Sequence, residues 1–328
     1  MTELTPAERD LLESGYEWVD ANADRLVSLL ENLVGRPSIT GNEGTHDNPE
    51  TTVGYLWEML EANAASVELD AQRLTSEVEA DYVDAPRENV YAVLPGERDS
   101  AFISQSHTDV VPPGSHDAWP GGDPFRVTRG TARRVDRTTV ELDVDGETRR
   151  RGIRENLATV WDQRGVDEVD VLVGRGVYDN KACSACLVGC LLGLQAALDR
   201  EGMALGGDLV HAHLVDEEKD QLGIKNMVGW RDNADWLGQR YDSFENFSAV
   251  VLEGQYGFVP VVGHRGGINL TVDAHGEAVH GSTPELGRNA VLGMAKALAR
   301  MDTSECVDTI TEPFVDDELL GDFTVAVG

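Results

Sequence analysis

Four short stretches of the chain hold the residues whose types and spacing suit catalysis: SQSHTDVVPPG (104–114), GRGVYDNKA (174–182), LVDEEKD (214–220) and VLEGQ (251–255). Together they supply His107, Asp109, Asp179, Glu217, Glu218 and Glu253. One imidazole among several carboxylates suits hard-to-borderline divalent cations, with a spare carboxylate to act as base. The chemistry so implied is metal-assisted hydrolysis.

Each stretch has a local logic. His107 and Asp109 are two apart, so on a strand their side chains point the same way. A ligating imidazole commonly passes its second N–H to a carboxylate, which fixes its tautomer, and Asp109 suits that role. Taken alone, the triplet also describes a hydrogen-bonded loop pair. Asp179 closes a strand and precedes a helix, where a carboxylate can equally act as a cap. Glu217 and Glu218 are adjacent acids after an apolar strand; successive residues point differently, so one can reach a metal while the other holds a water as general base. Glu253 ends an apolar run and is followed by Gly254. His211 and His213 lie upstream of their strand's end and read as core or packing residues. His46 and His116 sit in loops without an assigned partner.

The elements that must carry these residues follow from periodicity. A helix is expected from Pro6 to Val34, ended by Gly35 and Pro37, and a second from Pro49 with Asp47 or Asn48 as its cap. Strand-like runs cover 88–96, 100–107, 169–174, 208–215 and 248–254, and a helix covers Asn180–Asp199. The alternation predicts an α/β fold with a mixed, largely parallel sheet sandwiched by helices. In such sheets ligands gather at the carboxyl ends of strands, where all four acidic stretches lie. The segment 126–172, with its basic cluster ETRRRGIR (147–154), reads as an inserted surface hairpin and helix. Its arginines suit an anionic substrate, a partner subunit, or ordinary pairing with nearby acids. After Pro260 the pattern changes: 263–277 alternates as an exposed-face strand and 288–301 as an amphipathic helix. The expected division is a domain over 1–261 and the first half of a smaller α+β domain over 262–328.

Composition narrows the function classes. The 328 residues include 59 acidic and 27 basic side chains, a net charge of −32. Such a surface repels nucleic acid and anionic membrane, so neither is expected as a partner. Its self-repulsion is tolerable where salt screens it, which suggests a halophilic, salt-loaded cytoplasm. The first residues carry acids and no apolar core, unlike a signal peptide. The longest apolar run, Cys186–Leu198, falls short of the roughly 20 residues that span a bilayer. A cytoplasmic location is expected. Cys183, Cys186 and Cys190 share one helix face and read as packed small thiols rather than an iron–sulfur site.

At these motifs the chain resembles the co-catalytic zinc hydrolases that include aminoacylases, acetylornithine deacetylase, succinyl-diaminopimelate desuccinylase and glutamate-releasing carboxypeptidases. The likeness runs from LVGRPSITGNE (33–43) to the end of the chain, interrupted by 126–172. It implies a zinc-exopeptidase-like catalytic domain with His107 and Glu253 as ligands of one metal, Asp179 as the bridge, Glu218 on the other metal and Glu217 as base. The metals are expected to be zinc, one or two per subunit, with cobalt or manganese as substitutes. The segment HRGGINLTVDAHGEAVHGSTPELGRNAV resembles the opening of a lid and dimerisation domain, whose His280 reaches the cleft of the partner in a homodimer and steadies an oxyanion. The implied reaction is hydrolysis of an amide bond in a small N-acyl amino acid or peptide by a metal-activated water. Tyr178 and Ala182 depart from the small residue and the glycine usual around the bridging aspartate. Family members continue with the second half of the lid and a late histidine, so the alternative expectation is a C-terminally incomplete, impaired homologue that binds one metal or serves as a dimerisation partner.

Overall fold

Thr5 sets the start of the first helix. Its hydroxyl accepts the Glu8 N–H at 3.3 Å while the Glu8 carboxylate takes the Thr5 N–H at 2.7 Å, and Pro6 occupies the first helical position. The helix expected over 6–34 is in fact two, α1 (Pro6–Ala21) and α2 (Ala23–Val34). They break at Asn22, whose side-chain amide donates to the Trp18 carbonyl at 2.8 Å and so competes with the helical ladder. α3 (Thr52–Asn63) is capped by Thr51, whose hydroxyl accepts the Gly54 N–H at 3.1 Å. Asp47 and Asn48, the expected caps, lie instead in turns ahead of it. The computed structural model describes residues 4–74, 86–231, 233–241, 247–254 and 271–301.

The remaining elements in chain order are β1 (Glu68–Arg73), β2 (Glu88–Leu94), β3 (Gly96–His107), β4 (Thr128–Arg134), β5 (Thr139–Val144), β6 (Glu147–Gly152), α4 (Glu155–Arg164), β7 (Glu168–Val173), α5 (Ala182–Glu201), β8 (Leu205–Leu214), α6 (Leu222–Met227), α7 (Trp236–Arg240), β9 (Phe247–Val251) and α8 (Ala290–Met301). Contacts divide the chain into two units, Met1–Phe258 and Val259–Gly328.

In the first unit a five-stranded sheet runs in the order β1-β2-β8-β3-β9. Its parallel part is β8, β3 and β9, while β1 and β2 add antiparallel at the other edge. Helices cover both faces, as the pattern predicted. Leu29, Leu33, Leu56, Leu60, Val188 and Leu191 from α2, α3 and α5 pack on one side. On the other, Tyr91, Ile103 and Val210 meet Met227, Trp236 and Leu237. The register sets His107 on β3 opposite Leu214 on β8, so both strands end together.

α5, with the turn before it, forms one 25-residue helical stretch that is long and apolar enough to cross a membrane, contrary to the length argument above. More than half of its most apolar 18-residue window is buried, and its packing against α1 and α2 makes it the central helix of this unit. Its cysteine stripe is less covered than expected, because the opposite face, with Ala185, Val188 and Leu192, takes the core. Cys186 and Cys190 are exposed and Cys183 is half-buried.

The segment 126–172 is more than a hairpin and a helix. It builds a second, antiparallel sheet in the order β6-β5-β4-β7. β7, expected in the main sheet, belongs here, where Val169 and Val171 pack with Ala132, Val140 and Trp161. Val169 and Val171 are half-buried on this side, while Leu172 on the opposite face packs against the main core. Its arginines engage local acids: Arg133 and Arg150 meet Glu141, Arg134 and Arg137 meet Asp162, and Arg149 meets Glu147.

In the second unit, α8 matches the predicted amphipathic helix. Residues 263–270 of the expected strand lie outside the described residues, and 271–277 form only a single bridge between Glu277 and Arg288.

Candidate metal centre

His107 is the last residue of β3 and is 3% exposed. Its Nδ1 lies 3.0 Å from the Asp109 carbonyl and 3.4 Å from the Asp109 carboxylate. A carbonyl oxygen only accepts, so Nδ1 carries a proton and donates it there. Nε2 is thereby aimed at the acids. It lies 3.0 Å from Asp179, 3.6 Å from Glu253 and 3.9 Å from Glu217.

Each acid arrives from a different element. Asp179 sits in a π-helical turn, Val177–Lys181, between β7 and α5. Gly176 precedes that turn at φ 82°, where an added Cβ would lie 2.8 Å from Val110, so a side chain there is excluded by both backbone and space. Asn180 donates to the Leu252 carbonyl at 2.8 Å, tying this turn to the residue before Glu253. Glu217 and Glu218 follow β8, and their N–H groups donate to the two oxygens of Asp109 at 3.0 and 3.1 Å. Thr40 adds a third donor to that carboxylate at 2.9 Å. Asp109 thus holds both the imidazole and the acid pair in place, more than the single support expected of it.

Among the described residues, two donor sets fall within 4.8 Å: His107 with Asp179 and Glu218, and His107 with Glu217 and Glu253. The six residues singled out at the strand ends therefore meet in one pocket. His280 lies in the second unit, where its Nδ1 accepts the Ser282 N–H at 3.2 Å and leaves Nε2 to carry the proton.

The charge pattern favours a cation. Burial alone would lower the His107 pKa, but hydrogen bonds to Asp109, Asp179 and Glu253 and the charge of Asp109 prevail and raise it to about 12. The hydrogen bond to His107 holds Asp179 below the usual carboxylate range. Burial raises the Glu217 carboxyl, and burial with the nearby Asp179 charge raises Glu218 to about 7. A group of acids that share positive charge so strongly fits a divalent ion, and one imidazole with carboxylate oxygens is a zinc-, cobalt- or manganese-type donor set.

Several supports were missed in the sequence. Lys181 is fully buried, and its Nζ donates to the carbonyls of Leu33 and Arg36 at 2.7 and 2.8 Å, anchoring the Asp179 turn to the end of α2. Burial lowers its pKa to about 7. Ser38 donates to the Thr108 carbonyl at 2.6 Å, and Glu43, Arg87 and Asp216 form a buried ion network behind the acid pair. These contacts span large sequence separations, and no local pattern marks the residues that make them.

Residues 262–324 match the family profile described as a peptidase dimerisation domain. Over 305 residues, 93% of this chain, it is 26% identical to a peptidase M20 domain-containing protein of Schizosaccharomyces pombe, covering 55% of that protein. The chain is related to the M20 peptidases. A succinyl-diaminopimelate desuccinylase of Methylorubrum extorquens is also similar, 26% identical over 88% of this chain and 59% of its own length. Among solved structures, the yeast di-peptidase Dug1p from Saccharomyces cerevisiae aligns with a TM-score of 0.43 at 13% identity, covering 74% of this chain and 41% of that one. The chain thus spans little more than half the length of the M20 relatives it matches in sequence.

Proposed function

We propose that the chain carries the catalytic centre of a metal-dependent hydrolase acting on an amide bond in a small N-acyl amino acid or peptide. The observation that supports this most is the convergence of Asp179, Glu217, Glu218 and Glu253 on the His107 Nε2. The relatives named desuccinylase and peptidase point to the same bond type. His107, Asp179, Glu218 and Glu253 are the proposed metal ligands. When bound, zinc would polarise the amide carbonyl and lower the pKa of a water.

The chain's own residues do the rest. Asp109 keeps the His107 Nδ1 protonated so that Nε2 faces the ligand side. Glu217, its carboxyl raised by burial, is the group placed to take a proton from water and pass it to the departing amine. His280, with its proton on Nε2, is a donor suited to an oxyanion, delivered to the partner's cleft in a homodimer formed through 262–324.

A second reading is a chain that holds one cation without turnover. It draws on the sharing of His107 by both donor sets, so that the described residues offer one imidazole to two cation positions. Turnover by the metal-loaded wild type separates the readings, and Glu217→Gln tests the base. Metal content should stay unchanged while hydrolysis of a panel of N-acetyl and N-succinyl amino acids and dipeptides falls about a hundred- to ten-thousand-fold. Undiminished turnover in Glu217→Gln would remove Glu217 as base, and a metal-loaded wild type inactive on the whole panel would favour the second reading.

A further inference from the structure

Behind the acid pair lies a network that the reaction itself does not use. Glu43 and Asp216 are fully buried, and the Arg87 side chain is 3% exposed. One Arg87 nitrogen reaches the Glu43 Oε1 at 3.3 Å and the Asp216 Oδ1 at 2.5 Å. Asp216 stands at φ 64°, a left-handed backbone that side chains seldom adopt and that persists only where the surroundings over-determine it.

The surroundings do so here. The Asp216 N–H donates to the Glu43 Oε1 at 3.1 Å. The Asp216 Oδ2 accepts the N–H groups of Asp220 and Leu222 at 3.2 and 3.1 Å, and its carbonyl accepts that of Gln221 at 2.7 Å. Three successive N–H groups, those of Asp216, Glu217 and Glu218, therefore end on buried carboxylates, the first on Glu43 and the others on Asp109. With the backbone spent in this way, the side chains of Glu217 and Glu218 are left to face His107. The Glu43 Oε2 accepts the Gly41 N–H at 3.0 Å, next to the Thr40 that holds Asp109. One network thus links both supports of the acid pair.

We propose that Arg87 is a positioning residue: by bridging Glu43 and Asp216 it sets where Glu217 and Glu218 stand relative to His107, and so sets metal affinity. The inference rests on the metal-centre reading above. Without the guanidinium, the buried Glu43 and Asp216 carboxyls lose the donor that bridges them at 3.3 and 2.5 Å, and the loop that it ties down relaxes. Residues 217 and 218 follow in that movement.

The test is Zn2+ affinity of the full chain by chelator competition, measured well below the melting transition of each variant. Arg87→Gln should bind Zn2+ about 10- to 100-fold more weakly, the range for residues that orient ligands, and Arg87→Lys, which keeps the charge, should recover most of it. Arg129→Gln, whose partner Glu31 lies at the surface, should bind as the wild type does. If Arg87→Gln fails to fold, Glu43→Ala carries the test, since it leaves Arg87 and Asp216 as a neutral pair but removes the acceptor of the Asp216 N–H; a drop of at least several-fold is expected. Wild-type affinity in a folded Arg87→Gln or Glu43→Ala chain, with only the melting temperature lowered, overturns the positioning role alone. A wild-type chain that takes up no Zn2+ overturns the metal-centre reading and the positioning role together.

Discussion

Two buried regions of the same sheet treat imidazole in opposite ways. His107 closes β3 among carboxylates, and its pKa is raised to about 12. His211 and His213 lie three residues and one residue before the end of β8, under α5, and burial lowers them to about 4 and 3. His213 pairs in register with Ser106, the neighbour of His107. A shift of one residue along the strand and one face across it separates a cation-seeking pocket from the core. Position relative to the strand end, rather than residue type, decides which chemistry a histidine can do.

The largest expected consequence concerns metal. His107→Ala should weaken Zn2+ binding by at least about 100-fold, because it removes the one imidazole that both donor sets share. His211→Asn should leave it unchanged. Equal losses in the two variants, measured by metal analysis after dialysis, would erase the distinction between the regions.

The next effect is on stability in acid, and its sign follows from the direction of the shifts. His211 and His213 are neutral in the fold well below the pH at which an unfolded histidine, with a pKa of about 6.5, takes up its proton. Their contribution is present above about pH 6.5 and is lost as pH falls toward 4 and 3. Glu43 and Glu218, both raised to about 7, work against this between about pH 7 and 4.5, since they gain a proton in the fold before an unfolded glutamate does. The wild-type curve alone therefore mixes two signs. Subtracting the curve of the double variant His211→Asn, His213→Asn isolates the histidines. The wild type should lose on the order of 2–5 kcal/mol more than the double variant between about pH 6.5 and 4. Parallel urea-unfolding curves across that range would show that these rings titrate normally.

The same contrast explains what was legible in the sequence. The acids and His107 were visible because they interrupt apolar runs at strand ends, where a solvated loop needs no such pairing. The main strands and α5 were visible for the same reason, as long apolar runs. β1 was not, since ELDAQR is half-exposed and carries little pattern. The placement of β7 failed because a short apolar run does not say which sheet will receive it. The supports of the site were least visible. Arg87 meets Asp216 across 129 positions and Lys181 meets Leu33 across 148, and nothing local marks either residue as a buried cation.

The smallest effects belong at the surface, where charge has water on one side. Arg137, in the turn between β4 and β5, meets Asp162 of α4 with half of its side chain exposed, so Arg137→Gln should leave the melting midpoint almost unmoved, because exposed pairs gain little over hydration. The whole surface is a different matter, since a net charge of −32 repels itself at every separation that salt does not screen. Raising salt from about 0.1 to 1 M shortens the screening length from about 10 to 3 Å, which removes most of that repulsion while weakening only pairs that were worth little. The midpoint should therefore rise with salt by more than Arg137→Gln moves it at either concentration. A midpoint that falls with added salt, read by circular dichroism, would mean that the exposed arginine pairs outweigh the excess of acid, and that the surface, unlike the pocket, is held together by its charges.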